Sequence, residues 1–185
     1  VPPEKRVDEN TLDQSIEEDF ISDNFREAYS DFTGRTSEKV LMKDGNVCYS
    51  PLSLWYALAL ASEGASGETK TEIDSLLTGG REIAETDPSN LRLRLAALLG
   101  NRPQTTLEIA NSVWSASGLK ESYADTAAGR YFSECYDVKS FDSSTAKSMS
   151  DWVSDKTKGT LKPEFTFGEG DLPEMIAILN AVYFK

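Results

Sequence analysis

An α+β architecture is predicted by three stretches of the 185-residue sequence. Leu52 to Ala61 is apolar almost all the way round a helix, so it belongs inside a domain rather than on its surface. Thr106 to Trp114 alternates with period two, placing Leu107, Ile109 and Val113 on one inward face of a strand. Met175 to Phe184 is apolar except for Asn180, as expected of a strand covered on both faces.

The other elements follow in chain order. Residues 1–14 are polar and Pro-rich and read as a disordered lead-in, while 15–185 read as part of one domain. Ile21, Phe25, Ala28 with Tyr29, and Phe32 recur at helical spacing, and Gly34 is expected to end that helix. Thr36–Gly45 is expected to be a loop, and Val47–Tyr49 a short strand. Ser50-Pro51 then opens the apolar helix, with Ser50 as cap and Pro51 preset for the first turn. Gly64 stops it. Gly67-Glu68-Thr69 starts an amphipathic helix carrying Ile73, Leu76 and Leu77, and Thr78-Gly79-Gly80 marks a turn. Leu91, Leu95, Leu98 and Leu99 give a further helix. Beyond the alternating strand come a helix over Ser122–Phe132 and a strand over Cys135–Phe141.

Composition narrows the functions. Net charge is −12, which argues against nucleic acid and anionic membrane surfaces as partners. No run approaches the roughly 20 apolar residues of a spanning helix. The chain begins with Val rather than Met, and so reads as processed or trimmed, with no signal peptide left to read. Histidine is absent, which removes the usual base of a serine hydrolase. The acid pairs Glu17/Glu18 and Asp151/Asp155 sit among polar neighbours rather than in the apolar pocket that raises a catalytic carboxyl. Thr78-Gly79-Gly80 lacks the Lys-Ser/Thr of a phosphate-binding loop. No metal or cofactor is expected. Cys48 and Cys135 either form one disulfide or pack as two buried free thiols.

The residues around the central helix closely resemble the B-helix signature of the serpins, the serine protease inhibitor superfamily. Asn46, Ser50, Pro51, Ser53, Gly64, Ala65, Gly67 and Thr69 carry that match. Two further stretches agree. Trp152, Val153, Thr157, Gly159 and Leu161 fit the serpin F helix, although Ser150 stands where the family usually has Asn. Leu179, Asn180, Ala181, Tyr183, Phe184 and Lys185 fit strand three of the large sheet A. Leu107, Ile109, Ala110 and Asn111 resemble another strand of the family.

The resemblance implies a serpin fold, represented here by the helical domain and part of sheet A, and incomplete without a C-terminal half. That half, as a second chain, is the expected partner. The family mechanism is suicide inhibition of serine, and in some members cysteine, proteases, in which the cleaved reactive loop inserts into sheet A. The reactive-centre bond lies outside this sequence. By resemblance, Ser50, Ser53 and Asn180 correspond to the shutter over which the sheet opens, and Trp152 and Thr157 to packing of the F helix on the sheet. Read without the family, Ser50 is a plain helix cap and Ser53 a serine bonded back to the preceding turn. The two cysteines would lie on strands of different sheets, which favours free thiols. Heparin is not an expected ligand, because Arg92 and Arg94 are two residues apart and point in different directions on the helix matching the serpin D helix. A secreted, bacterial protein is the expected source. The alternatives are a non-inhibitory serpin (a carrier or chaperone) and an unrelated interaction domain that folds alone.

Overall fold

The computed structural model describes residues 21–42, 44–85, 87–100, 104–167 and 176–185, with the side chains of 96–100 excepted. The expected lead-in over 1–14, the pair Glu17/Glu18 and the inward roles of Leu98 and Leu99 lie outside the described residues. Among the described residues six helices and three strands occur in the order α1 (Asp23–Leu41), α2 (Pro51–Gly64), α3 (Gly67–Thr78), α4 (Asp87–Gly100), β1 (Leu107–Ser115), α5 (Glu121–Tyr131), β2 (Ser133–Asp137), α6 (Ser143–Lys156) and β3 (Ile176–Phe184).

The strands form one sheet in the order β2-β1-β3. β1 and β2 run parallel through the α5 crossover, whereas β1 and β3 are antiparallel, from Leu107 opposite Phe184 to Ser115 opposite Ile176. Alternation along the strands then sorts the side chains into two cores. Ile109, Val113, Cys135, Ile178 and Val182 meet the helices α1 to α5 on one face. Trp114, Tyr136, Ala177, Leu179 and Ala181 meet α6 on the other. The result is a sheet sandwiched between a helical layer and a single helix.

Each helix has a local reason to start where it does. Ser22 caps α1 by accepting from the Phe25 amide at 3.1 Å. Its own amide and hydroxyl donate to the buried Asp87 carboxylate at 3.0 and 2.6 Å, which ties the start of α1 to the start of α4. Asp142 caps α6, accepting from the amides of Ser144 and Thr145 at 2.9 and 3.0 Å. α3 ends at Gly79, whose positive φ of 61° suits the left-handed cap that glycine adopts without a Cβ clash.

Five expectations are corrected. Gly34 does not end α1, and the loop expected from Thr36 is helical as far as Leu41. Gly34 lies on the solvent side with open space where a Cβ would stand, so it weakens the helix without breaking it. Thr36 and Arg35 support the continuation: Thr36 Oγ1 donates to the Phe32 carbonyl at 2.7 Å, and Arg35 reaches the Leu76 carbonyl of α3 at 2.9 Å. Val47–Tyr49 is not a strand, since no described strand lies beside it to supply a ladder. The strand expected over Cys135–Phe141 begins at Ser133 and ends at Asp137. Both cysteines are free thiols, but Cys48 is exposed rather than buried.

The fifth correction concerns the apolar helix, whereas the apolar strand is covered on both faces as expected. α2 buries one stripe, Trp55, Tyr56, Ala59, Leu60 and Ser62, while Leu52, Leu54 and Leu58 are only half-covered. β3 has helices on both faces yet forms an edge of the sheet, with Ile176 and Phe184 half or more exposed. Both elements are more apolar than their present neighbours require.

Replacing Gly34 with Ala is expected to stabilise the fold by about 0.5–1 kcal/mol, because the position is helical and unobstructed. Urea unfolding of the Gly34→Ala variant tests this, and a loss of stability would contradict an uninterrupted α1.

Candidate functional site

Three of the polar candidates, Ser50, Ser53 and Asn180, lie on the side of the sheet that meets α2. Ser50 is extended (φ −115°) and caps α2. Its Oγ accepts from the Ser53 amide at 3.2 Å and from the Ser53 hydroxyl at 2.9 Å. A hydroxyl oxygen has two lone pairs, so both acceptor sites of Ser50 are spent on Ser53. The capping reading and the back-bonded serine reading therefore describe the same pair of contacts.

Asn180 sits in the middle of β3, directly opposite Asn111 of β1. Its Nδ2 donates to Asn111 Oδ1 at 2.7 Å, and Asn111 Nδ2 donates to the Tyr131 carbonyl at 2.8 Å. Asn111 is 1 % exposed. A chain of two amides thus links β3, β1 and the last turn of α5. Its open end is Asn180 Oδ1, which is buried and has no donor among the described residues. A buried acceptor left unpaired costs about 1–3 kcal/mol. Among the described residues no hydrogen bond joins Ser50 or Ser53 to this chain. The fold brings the two serines together and the two asparagines together, as separate polar spots in an apolar layer.

Asn111 was not among the residues singled out for this site. Its signal was present all the same: it falls on the inward parity of β1, between Ile109 and Val113, where an amide has to find partners. Tyr131 has a further tie, its hydroxyl donating to Glu63 Oε1 at 2.8 Å. Burial, reinforced by the adjacent Glu63 carboxylate, pushes this phenol well above its ordinary range. It stays protonated and remains a donor.

On the opposite face, Trp152 and Thr157 differ in what they hold. Trp152 packs with Trp114, Met149, Phe141 and Ala181 between α6 and the sheet, and is 7 % exposed. Thr157 is buried, but its Oγ1 donates to the Val153 carbonyl at 2.7 Å and accepts from the Leu161 amide at 3.1 Å. It fastens the end of α6 to the following turn and makes no hydrogen bond to the sheet.

Arg92, one of the two arginines of α4, stacks over the Phe132 ring at 4.8 Å and donates to the Ile109 carbonyl. It braces α4 against β1 instead of contributing to an exposed basic face. Among the described residues no group of three or more His, Cys, Asp or Glu is placed to hold a metal ion, and no helix is long and apolar enough to cross a membrane.

Comparisons with known proteins agree on one family. The model of the family described as Serpin (serine protease inhibitor) matches residues 27–185. Serpin A3-5 of Bos taurus is 32 % identical over 190 residues, covering 98 % of this chain and 42 % of its own length. Serpin-ZXA of Oryza sativa subsp. japonica is 32 % identical over 147 residues, covering 76 % of this chain and 37 % of its own. Among solved structures, the thermophilic serpin tengpin in its latent state superposes with a TM-score of 0.73 at 25 % identity, covering 89 % of this chain and 44 % of that one. The chain therefore spans less than half the length of the curated relatives it matches.

Truncating Asn111 to Ala removes both links of the amide chain and leaves the Tyr131 carbonyl and Asn180 Nδ2 without these partners. The expected loss is about 2–3 kcal/mol, against about 1 kcal/mol for Ser50→Ala, which removes a cap. Denaturant unfolding of the two variants measures the difference. Equal losses would mean that the amide chain is no more than a surface contact.

Proposed function

The chain belongs to the serpin family, and from that premise we propose that it is the N-terminal part of a secreted inhibitor of serine proteases whose cleaved reactive loop inserts into the sheet beside β3. The observation that carries this reading is the outer edge of β3. Nine residues of strand, Ile176–Phe184, lie between α2 and α6 with no strand pairing their far side among the described residues. An unpaired edge offers a row of amides and carbonyls that another strand can take up. The half-covered leucines of α2 and the orphaned Asn180 Oδ1 face the same need for a further element.

In this reading Ser50, Ser53 and Asn180, with Asn111 added, form the shutter. Their hydrogen bonds hold one arrangement of the sheet, and a buried network able to exchange partners allows a second arrangement of similar free energy. The residues that complete sheet A and carry the reactive loop belong to the C-terminal half of the same serpin, which is the structural partner. The target serine protease is the second partner, chosen by the residue at the cleaved bond. Trp152 keeps α6 seated on the sheet before insertion, and Thr157 fastens the end of that helix to the turn that follows it.

The experiment is incubation of the whole protein with a panel of trypsin-like, chymotrypsin-like and elastase-like proteases, followed by denaturing electrophoresis and intact mass. The expected product is a denaturant-resistant covalent complex whose mass is the sum of protease and cleaved serpin. Cleavage of the loop by every protease with no such complex would overturn inhibition and favour a non-inhibitory serpin, a carrier or chaperone.

A further inference from the structure

Three donors from two elements converge on one carboxylate beneath α6. Lys156 Nζ donates to Glu134 Oε1 at 2.7 Å, Trp152 Nε1 donates to Oε2 at 2.8 Å, and the Tyr136 hydroxyl donates to Oε2 at 2.5 Å. Glu134 and Lys156 are each about three-quarters buried, with side-chain exposures of 26 % and 23 %. A carboxylate with this many donors, shielded from water, is held far more firmly than a surface ion pair. A second ion pair lies two residues on, just past the end of α6, where Lys158 Nζ meets Glu108 Oε1 of β1 at 2.8 Å. On the β3 side, by contrast, it is the apolar Ala177, Leu179 and Ala181 that pack into the α6 core. Among the described residues no hydrogen bond or ion pair joins α6 to β3.

We propose that Glu134 is a positioning residue that fastens α6 to the β1–β2 side of the sheet, leaves it free to part from β3, and thereby sets how readily the sheet opens. The second half of this statement rests on the loop-insertion reading above. The polar contacts are directional and local to β2, whereas the apolar contacts to β3 tolerate sliding. A force that separates β3 from the next strand therefore meets a helix anchored on one side only. Loosening the anchor lets α6 lift as a unit.

The latch depends on charge. Burial alone would raise the Glu134 carboxyl, but the bonds from Lys156, Tyr136 and Trp152 outweigh it and hold the group below the ordinary carboxylate range. The groups facing it are few. Lys156 comes from α6, with Asp155 close to Tyr136, and Tyr136 comes from β2. β1 presents Ser112, the register partner of Glu134, and Trp114, neither of them charged. α5 meets β2 from the opposite side, where Cys135 packs into the other core. A lowered folded value means that the stabilisation is fully present above the unfolded value and disappears as pH falls through the folded one.

Amide exchange by mass spectrometry on the whole protein tests the latch, comparing wild type with Glu134→Gln. Gln keeps an acceptor for Trp152 and Tyr136 but removes the charge that Lys156 needs. The expected result is about tenfold faster exchange over 143–156 with exchange in α2 unchanged, the size set by losing one charge-assisted bond. After correction for intrinsic exchange, acidification should loosen α6 in wild type and leave the variant nearly flat. Lys156→Gln, which removes the same pair from the helix side, should reproduce the selective effect if Glu134→Gln fails to fold. Unchanged exchange over α6, or equal loss of protection in α6 and α2, overturns the latch. The second readout is uptake of a synthetic peptide copying the protein's own reactive loop. Faster uptake by Glu134→Gln is expected, and a loosened α6 with unchanged uptake overturns the link to sheet opening. A wild-type protein that takes up no peptide overturns the loop-insertion reading itself, while the exchange data still decide the latch.

Discussion

Pairing Leu107 with Phe184 and Ser115 with Ile176 sets, through the two-residue period of a strand, which side chains meet the helical layer and which meet α6. A slip of β3 by one residue would send Ile178 and Val182 to the α6 face and bring Ala177, Leu179 and Ala181 against the helical layer, so neither core would survive. The same register places Asn111 opposite Asn180 on the inner face, and the parallel register of β1 with β2 places Ser112 opposite Glu134 on the outer one. The two polar devices of the molecule are thus consequences of the two ladders that flank β1.

The two devices differ in kind. The amide chain from Asn180 through Asn111 to Tyr131 is neutral, and it ends in an acceptor without a donor. It can be completed by a group supplied later, which suits a junction that rearranges. The Glu134 cluster is charged and fully engaged, with three donors on two oxygens. Breaking it leaves a partly buried carboxylate or ammonium behind, which suits a fastening. In the proposed function one face of the sheet changes partners and the other holds.

Much of this was legible in the sequence. The Ser50-Pro51 start and the alternation of β1 each follow from local chemistry, and the structure keeps them. What was not legible depends on neighbours. Gly34 looks like a helix end by propensity, but contacts of Phe32, Arg35 and Thr36 carry α1 past it. Val47–Tyr49 has strand composition and no partner strand. Asn111 and Glu134 are single polar letters within strands, and only the register shows what each one faces. Asp87, buried beneath the first turn of α1, is invisible in a pattern because its partner, Ser22, is 65 residues away.

The account's central claim is that the sheet takes up a further strand at the edge of β3. The most direct measurement is the thermal unfolding midpoint of the whole protein before and after proteolytic cleavage of its reactive loop. A new central strand would pair the open edge and bury apolar surface on both faces, so the account predicts a large rise in the midpoint on cleavage. An unchanged midpoint after complete cleavage would contradict it, because the loop would then have been cut without entering the sheet.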